Sequence, residues 1–391
     1  MSRHFVAIDL GASSTRFASN NGKIDVLPNN MVYVEPDTLV DQEPYSNEVE
    51  AALDVTIECE HESEFFPCRA LVGQMAERYS PTNQKPSLMA NKHKQKINYV
   101  SAVIAMAVSK MRHGLDNDLK LYLALPPVEV KVAKEVISKH LVGNYTVRFN
   151  KMDNTEVKFR IEDVSIYEES FMAMLAYFFD KNGRLREQAK QFANGNILSM
   201  DIGASTTDLA VVQNMRYLEK SGQTYKIGGN VARDTLMDRI RGEFGFDAPI
   251  DMAEMVMAEG RIQLGNVYQD CSEAVRLAKR EFAEQIVEQI QGYFRKVNIP
   301  IQTIRAIVVS GGGSMSGQYV DGGEVIITSE PMSHFITEEL NKICPGVVVE
   351  QFSENPRMAN ITGLYIRANI DIRKNVGATQ QDGAAVEKNP M

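Results

Sequence analysis

Residues 199–212, with the sequence SMDIGASTTDLAVV, place a turn of small polar residues between two apolar runs. Asp201 lies at the end of the first run, and Asp208 stands just before the second. Glycine and small side chains let backbone N–H groups approach phosphate oxygens without obstruction. The segment therefore predicts a strand–turn–strand unit that could hold phosphate, although such a segment alone is more often an ordinary β-turn.

Residues 4–19, HFVAIDLGASSTRFAS, repeat the pattern near the N-terminus, with Asp9 in the place of Asp201. Strands and helices alternate after each copy, which predicts an internal duplication. We expect an α/β fold of two domains, each with a mixed β-sheet flanked by helices. Two such turns that face each other would hold a phosphate chain in a nucleotide cleft between the domains.

The composition fits a protein of more than one core, since 44% of the 391 residues are hydrophobic. The net charge of −9 argues against broad direct contact with nucleic acid, and no apolar run is long enough to cross a membrane. Scattered cysteines predict reduced thiols in the cytoplasm, with a Cys59–Cys68 disulfide as a minor alternative.

The domain boundaries follow from composition and periodicity. We expect residues 1–180 to form the first domain, with an inserted and more mobile subdomain at about 30–98. Residues 181–355 should form the second, with an insert at about 231–290. A helix at 356–372 and a disordered tail at 373–391 would follow.

A third glycine-rich segment, IVVSGGGSMSG at residues 307–317, follows an apolar run. Its three glycines would let a base or ribose lie against the backbone, although a tight bend explains them equally well. Ser316 breaks a G-x-G-x-x-G pattern, and the sequence has no G-x-x-x-x-G-K-[ST] segment. Dinucleotide-binding and P-loop interpretations therefore lack support.

Asp9 and Asp201 would repel a polyphosphate unless a hard cation lay between them. Mg²⁺ keeps several of its waters and binds through carboxylates and phosphates, so we expect both carboxylates to hold it through water. Arg16, after the first turn, would direct a positive charge toward the phosphates.

These three segments, in this order, resemble the actin, sugar-kinase and heat-shock-chaperone ATPase superfamily: AIDLGASSTRF and MDIGASTTDLAVV are similar to its phosphate loops, and IVVSGGGSMSG to its adenosine motif. Within it, EDVSIYEESFMAMLAY at residues 162–177 and NPRMANITGLYIRA at 355–368 resemble the plasmid-segregating bacterial actins of the ParM type. The resemblance covers about residues 3–372. It implies a duplicated actin-like ATPase fold in which the helix at 356–372 returns to the first domain.

The resemblance implies a role for each matching residue. Glu169 would position the attacking water, with Glu168 as the alternative if the register is off by one, while Asp9 and Asp201 orient Mg²⁺. The remaining nucleotide-binding residues would be Gly11, Ala12, Ser13, Ser14, Arg16, Gly203, Ala204, Ser205, Thr206, Asp208, Gly228, Gly229, Arg276, Lys279, Arg280, Gly311, Gly312, Gly313 and Met315.

Each role has a structural alternative. Glu169 could be a carboxylate that favours the N-terminus of a helix, and Lys279 and Arg280 could lie on a solvated helix face. The basic stretch NKHKQK at residues 91–96 could bind a partner, but we expect a solvated loop. Ala12 stands where actins often have serine, so sensing of the γ-phosphate is the most doubtful part of the resemblance.

The expected function is that of a filament-forming ATPase which hydrolyses ATP or GTP with Mg²⁺ and drives plasmid DNA segregation through a DNA-bound adaptor. The expected partners are further copies of the chain and that adaptor, without direct nucleic-acid or membrane binding. The two halves would hinge on nucleotide binding. The alternatives are a small-molecule kinase, for which we find no acceptor site, and a chaperone ATPase, for which the chain after the last helix is too short.

Overall fold

The computed structural model describes residues 4–11, 14–40, 52–80, 92–315, 318–321, 324–327, 329–352 and 354–386. Within this part of the chain, two large β-sheets each lie among helices. The predicted α/β architecture of two duplicated units is therefore confirmed.

The first sheet has nine strands in the order β3-β2-β1-β7-β9-β8-β5-β6-β4. Strands β1, β7 and β9 are parallel to one another, and the other pairings are antiparallel. The strands are β1 Phe5–Leu10, β2 Ser14–Ser19, β3 Ile24–Pro28, β4 Met31–Val34, β5 Ala52–Cys59, β6 Cys68–Gly73, β7 Asp118–Leu125, β8 Gly143–Phe149 and β9 Thr155–Glu168.

Four helices accompany this sheet: α1 Gln74–Tyr79, α2 Lys96–His113, α3 Pro127–Leu141 and α4 Glu169–Phe178. A 3-10 turn, Lys92–Lys94, precedes α2. Pro127 starts α3 because its fixed φ suits the first helical position, and Gly114 ends α2 in a left-handed conformation with φ of 60°.

The second sheet has the order β12-β11-β10-β16-β19, with β13 paired to β11. Its strands are β10 Asn196–Ile202, β11 Thr207–Gln213, β12 Arg216–Tyr217, β13 Gln223–Tyr225, β16 Ile304–Ser310 and β19 Val348–Gln351. Two hairpins stand apart from it, β14 Arg261–Leu264 with β15 Val267–Asp270, and β17 Gln318–Asp321 with β18 Glu324–Ile327.

The helices of the second half are α5 Glu187–Lys190, α6 Asn230–Phe244, α7 Ile250–Glu259, α8 Ser272–Val297, α9 Met332–Ile343 and α10 Ala359–Val386. Short 3-10 turns cover Ile301–Thr303, Gly312–Met315 and Pro356–Met358. Helices α6 and α8 pack on each other, and α8 packs on α9.

The duplication is visible in the strand pairings. Strand β1 is antiparallel to β2 and parallel to β7, and β10 is antiparallel to β11 and parallel to β16. Both β1 and β10 are almost completely buried, as expected for apolar strands covered on both faces. Each therefore carries its terminal aspartate, Asp9 or Asp201, to the corresponding edge of its own sheet.

Helices α4 and α10 join the two halves and pack closely. A Cβ atom at Gly363 of α10 would lie only 1.7 Å from the Met172 carbonyl oxygen of α4, so the two backbones touch there. Met172 and Met174 of α4 are buried.

Two predicted segments contain regular structure. Strands β4 to β6, in the predicted insert at 30–98, belong to the first sheet through the pairing of β5 with β8. The helical backbone of α10 continues to Val386, within the segment predicted as a disordered tail from residue 373. The predicted domain boundaries stay expectations.

All four cysteines carry free thiols, so the minor alternative of a Cys59–Cys68 disulfide is wrong. Among the described residues, no helix combines the length and apolar character required to cross a bilayer.

Candidate functional site

The two predicted phosphate turns have the same backbone closure. The Gly11 N–H donates to the Ser14 carbonyl at 3.1 Å, and the Gly203 N–H donates to the Thr206 carbonyl at 2.8 Å. Ala204 and Ser205 are exposed at the tip of the second turn. Ala12 and Ser13 lie outside the described residues, so the tip of the first turn stays a prediction.

The buried Asn29 holds the first turn in place. Its amide donates to the Gly11 carbonyl, and its side-chain oxygen accepts from Thr15 at 2.7 Å and from Ser101 of α2 at 3.2 Å. Asn29 was not among the predicted site residues. An asparagine after a short strand has no sequence signal that distinguishes it from an ordinary turn residue.

Glycines bring three loops into contact at the second turn. The Gly229 N–H donates to the Gly203 carbonyl at 2.9 Å, and a Cβ at Gly228 would lie 2.6 Å from the Ala204 carbonyl oxygen. A Cβ at Gly313 would lie 2.5 Å from the Gly203 carbonyl oxygen. The structure thus places together the predicted residues of the second turn, Gly228, Gly229 and the glycine-rich segment.

The glycine-rich segment also makes the tight bend that was the structural alternative. Gly311 has a φ of 87°, and a Cβ there would lie 2.4 Å from Asp201 Oδ1. Gly312 and Gly313 continue into a 3-10 turn whose last residue, Met315, is buried. Packing therefore explains Gly311 and the burial of Met315, while contact with adenosine stays a prediction.

A buried group of carboxylates stands where these loops meet α4. One oxygen each of Glu169, Asp201 and Asp208 lies within 4.8 Å of the others, and all three side chains are buried. They come from the start of α4 and the facing ends of β10 and β11. Two of the three were predicted to act on the metal or the water, and Asp208 was predicted beside them.

Hydrogen bonds orient two of these carboxylates. Asp201 accepts from Asn360 Nδ2 at 2.7 Å and from Ser310 Oγ at 3.2 Å, while Asp208 accepts from Thr224 Oγ1 at 2.5 Å. Asn360 belongs to the A-N-x-x-G segment at the start of α10. That segment therefore contributes directly to the site.

Asp9 lies outside this trio and pairs with Arg16, whose Nη1 is 3.4 Å from Asp9 Oδ2. The same Nη1 would lie 3.1 Å from a Cβ at Gly11, so the guanidinium lies over the first turn. Arg16 thus lies beside the first turn, and its contact with phosphate stays a prediction.

Lys92 is the main residue that the sequence reasoning missed. Its Nζ lies 2.6 Å from Glu169 Oε1, and only 2% of the side chain is exposed. The neighbouring His93 is also buried, with Nδ1 3.0 Å from Glu129 Oε2. The prediction of a solvated loop at 91–96 is therefore wrong for these two residues, because each pairs with a carboxylate distant in sequence.

Burial and mutual repulsion raise the pKa values of the carboxylates. Burial raises the pKa of Glu169 well above its ordinary value and outweighs the Lys92 ammonium, with Asp208 and Asp9 adding to the rise. Burial, with a further contribution from Asp201, raises the pKa of Asp208 to about 7 against the Thr224 hydrogen bond. The pKa of Asp201 is raised by burial and then by Asp9, against the hydrogen bond from Asn360.

Glu168 and Glu169 have different surroundings. Glu169 lies in the carboxylate group, whereas Glu168 accepts a hydrogen bond from the Tyr217 hydroxyl. Burial raises the pKa of Glu168, with the Tyr217 bond and Lys131 opposing. Glu169 also occupies the first position of α4, and its action on the attacking water stays a prediction.

Arg357 is a second residue that the sequence reasoning missed. Its Cγ would lie 3.6 Å from a Cβ at Gly312, which places it beside the glycine-rich segment. Arg357 is exposed to solvent. The surrounding protein nevertheless removes part of the hydration of its guanidinium, which lowers its pKa, and the Arg16 guanidinium lowers it further, while Glu254 opposes the change. Two guanidinium groups therefore repel each other across the loops, and an anion between them would relieve that repulsion.

The three cationic residues predicted to contact the base have protein partners. Arg276 pairs with Glu273 at 2.6 Å and Arg280 with Glu338 at 3.2 Å, both on exposed surface. Lys279 is buried and donates to Ser329 Oγ at 2.7 Å and to the Glu330 carbonyl at 2.8 Å. Burial lowers the pKa of Lys279 to about 8. The solvated-face alternative therefore describes Arg280 but not Lys279.

The donor set fits a hard divalent cation. Carboxylate oxygens from Glu169, Asp201 and Asp208 converge to within 4.8 Å of one another, and hard divalent cations prefer oxygen ligands of this kind. Asp201 belongs both to this trio and to the predicted Mg²⁺-binding pair of Asp9 and Asp201. Asp9 itself would act from the edge of the trio.

Two family models match successive parts of the chain. One is described as actin like proteins, N-terminal domain, and matches residues 7–171. The other is described as archaeal actin homologue MreB-like, C-terminal, and matches residues 199–318. The chain belongs to the actin-like proteins. No match emerged among curated protein sequences.

Solved structures share the fold of this actin-like protein over nearly its whole length. The actin-like protein Alp7A has a TM-score of 0.72 at 18% identity, over 97% of this chain and 98% of its own. A 15-stranded ParM filament from Clostridium botulinum has 0.63 at 17%, over 94% and 99%. Bacillus thuringiensis ParM with ATP has 0.63 at 18%, over 95% and 99%.

Proposed function

We propose that this actin-like protein is a filament-forming ATPase of the ParM type that hydrolyses ATP or GTP and moves plasmid DNA through a DNA-bound adaptor. The observation that carries the proposal is the buried carboxylate cluster of Glu169, Asp201 and Asp208 beside two equivalent phosphate turns. The free thiols are compatible with a cytoplasmic protein.

The binding step uses backbone donors and arginine. The N–H groups of the two turns would bind the β- and γ-phosphates, and Arg16 would neutralise part of their charge. Arg357 is available on the other side of the glycine-rich segment. The adenosine would lie against residues 311–313. Of the three cations predicted to bind the base, Lys279 is the one that is buried.

The chemical step is in-line attack of water on the γ-phosphate. Glu169 would accept a hydrogen bond from that water and orient it, and the turns would stabilise the charge on the phosphoryl oxygens. Asp201, with Asp9 at the edge, would hold Mg²⁺ through water, and the ion supplies charge neutralisation when bound. Positioning and electrostatics would account for catalysis without a covalent intermediate.

A relative supports assembly into filaments, and the charge of the chain supports the use of an adaptor. A ParM relative forms a filament, and head-to-tail contacts between identical copies generate helical filaments when they do not close. The net charge of −9 favours capture of DNA through an adaptor protein over direct binding. Nucleotide bound between the two halves would favour the assembling conformation, and hydrolysis would weaken it.

The deciding experiment measures assembly and hydrolysis in the same sample. Light scattering, pelleting and phosphate release are followed with Mg²⁺ and ATP, GTP, ADP or no nucleotide. We expect scattering that rises with a triphosphate and falls as phosphate appears. Phosphate release without assembly over a wide range of protein concentration would contradict the filament and favour a small-molecule kinase.

The role of Glu169 has a matched control in the adjacent residue. We expect Glu169→Ala to reduce phosphate release by at least about 100-fold while nucleotide binding and assembly persist. Glu168→Ala, which removes a partner of Tyr217 outside the cluster, should leave hydrolysis within about threefold of wild type. Normal hydrolysis by the Glu169 variant would show that another group positions the water.

A further inference from the structure

A lysine ammonium contacts the carboxylate cluster in which a divalent cation would be expected: Lys92 Nζ lies 2.6 Å from Glu169 Oε1. We propose that Lys92 is a built-in cation of this site: it positions Glu169, and it competes with a divalent cation for the carboxylates. The catalytic half of this proposal rests on the proposed hydrolysis. The half that concerns cation binding does not.

The backbone around Lys92 is fixed from several directions. Asn98 Nδ2 donates to the Lys92 carbonyl at 2.9 Å, and the Tyr99 hydroxyl donates to the His93 carbonyl at 2.5 Å. The His93 ring is bound in turn to Glu129 of α3. Because α2 and α3 both hold this short turn, the lysine side chain enters the site from a rigid base.

The charge count explains why a cation is needed there. Asp9, Glu169, Asp201 and Asp208 are all buried, and Arg16 pairs with Asp9. Buried carboxylates require paired charges, since an unpaired one loses its hydration without compensation. Lys92 is the cation in direct contact with Glu169, at 2.6 Å.

Removal of Lys92 should change the affinity for divalent cations in the opposite direction to removal of a purely structural lysine. Removal of the ammonium leaves its carboxylate partner free to bind a metal ion and removes a repulsive charge from the site. Divalent cations should then bind more tightly in the absence of nucleotide. Loss of a merely structural residue would instead loosen the site and weaken cation binding.

The catalytic consequence separates turnover from binding. Without Lys92, Glu169 loses the contact that fixes its orientation, so hydrolysis should slow. Because Lys92 contacts Glu169 and does not belong to either turn, the KM for nucleotide should change little. A positioning role thus predicts a lower kcat at nearly constant KM.

The test uses the full chain, Mn²⁺ as the probe and Lys92→Met as the variant. We expect its Mn²⁺ dissociation constant, measured by electron paramagnetic resonance without nucleotide, to fall by at least about tenfold. The kcat for phosphate release should fall by at least about tenfold as well. Lys94→Met, at the exposed end of the same 3-10 turn, is the control and should change neither value.

A second pair of variants keeps the proposal testable if Lys92→Met does not fold. Removing both charges of a buried pair is tolerated better than removing one. We therefore compare Lys92→Met/Glu169→Gln with Glu169→Gln alone, and expect tighter Mn²⁺ binding by the double variant. Unchanged or weaker Mn²⁺ binding in a folded lysine variant overturns the proposal. Absence of ATP hydrolysis by wild type would contradict the proposed function and leave the Mn²⁺ comparison decisive for Lys92.

Discussion

The two phosphate turns share a backbone but differ in charge. In the first half the β1–β2 register sets Asp9 opposite Arg16, and in the second half the β10–β11 register sets Asp201 opposite Asp208. The first turn therefore pairs an acid with a cation, whereas the second sets two buried acids side by side. The two duplicated units thus differ at one cross-strand position, which is Arg16 in the first and Asp208 in the second. This difference would favour an anion at the first turn and a cation at the second.

The supports of the turns differ in the same way. The side chain of Asn29, the residue after β3, binds the first turn and also accepts a hydrogen bond from Ser101 of α2. The backbone of Gly229 and the glycine-rich segment contact the second turn. Because the two turns have different supports, the proposed anion-binding and cation-binding parts can be altered separately.

The largest expected effect tests the cation-binding half. Asp201→Asn removes a carboxylate of the converging trio, and we expect Mn²⁺ to bind about 100-fold more weakly, with a similar loss of phosphate release. Asp9→Asn, at the edge of the site, should cost only about tenfold in the same Mn²⁺ titration. Equal losses for the two variants would mean that Asp9 and Asp201 contribute equally to the metal site. The proposed difference between the two turns would then be wrong.

A smaller effect tests the anion-binding half. Arg16→Met removes the guanidinium over the first turn, so triphosphate should bind about 10- to 100-fold more weakly by calorimetry. Mn²⁺ binding without nucleotide should not weaken. Lys158→Met, at a lysine with 72% of its side chain exposed, controls for the loss of one positive charge. Unaltered triphosphate affinity would show that Arg16 serves only as the partner of Asp9.

The smallest effect concerns pH and Asp208. Because its pKa is raised to about 7 in the folded state, the folded protein holds a proton that the unfolded chain has lost above its ordinary pKa near 4. This contribution to stability is present at low pH and is lost as the pH rises through 7. Without divalent cations, Asp208→Asn should therefore raise Tm by about 4 °C at pH 8 and change it little at pH 4, below which both states hold the proton.

The control for this pH effect is Asp238→Asn, at a carboxylate with 73% of its side chain exposed. Its Tm should stay close to that of wild type at both pH values in differential scanning calorimetry. A Tm difference for Asp208→Asn that does not grow with pH would indicate that Asp208 is ionised throughout.

Sequence alone predicted those parts of the site that depend on local order. Asp201, Gly203 and Asp208 lie in one strand–turn–strand segment, so alternation of apolar and small polar residues was enough to place them together. Lys92 could not be placed in this way, because a run of basic residues normally lies in solvent and its partner Glu169 is remote in sequence. The carboxylates needed a buried cation, but the sequence did not indicate which lysine would supply it.

The same limit applied to the fold. Apolar strands such as β1, β10 and β16 were predictable because burial on both faces requires an apolar run. The attachment of β4 to β6 to the first sheet depends on pairing of β5 with β8, which no local pattern reveals. Arg357 lies next to the recognised A-N-x-x-G segment, but its approach to Gly312 results from the way that α10 returns to the site.

The backbone contact between Gly363 and Met172 brings α4 and α10 together at the junction of the two halves. Glu169 is the first residue of α4, so the carboxylate proposed to position the water is carried by one of these joining helices. A hinge at this contact would leave Glu169 near the axis of rotation, where atoms move least. The orientation of that carboxylate would then change little while more distant parts of the two halves move.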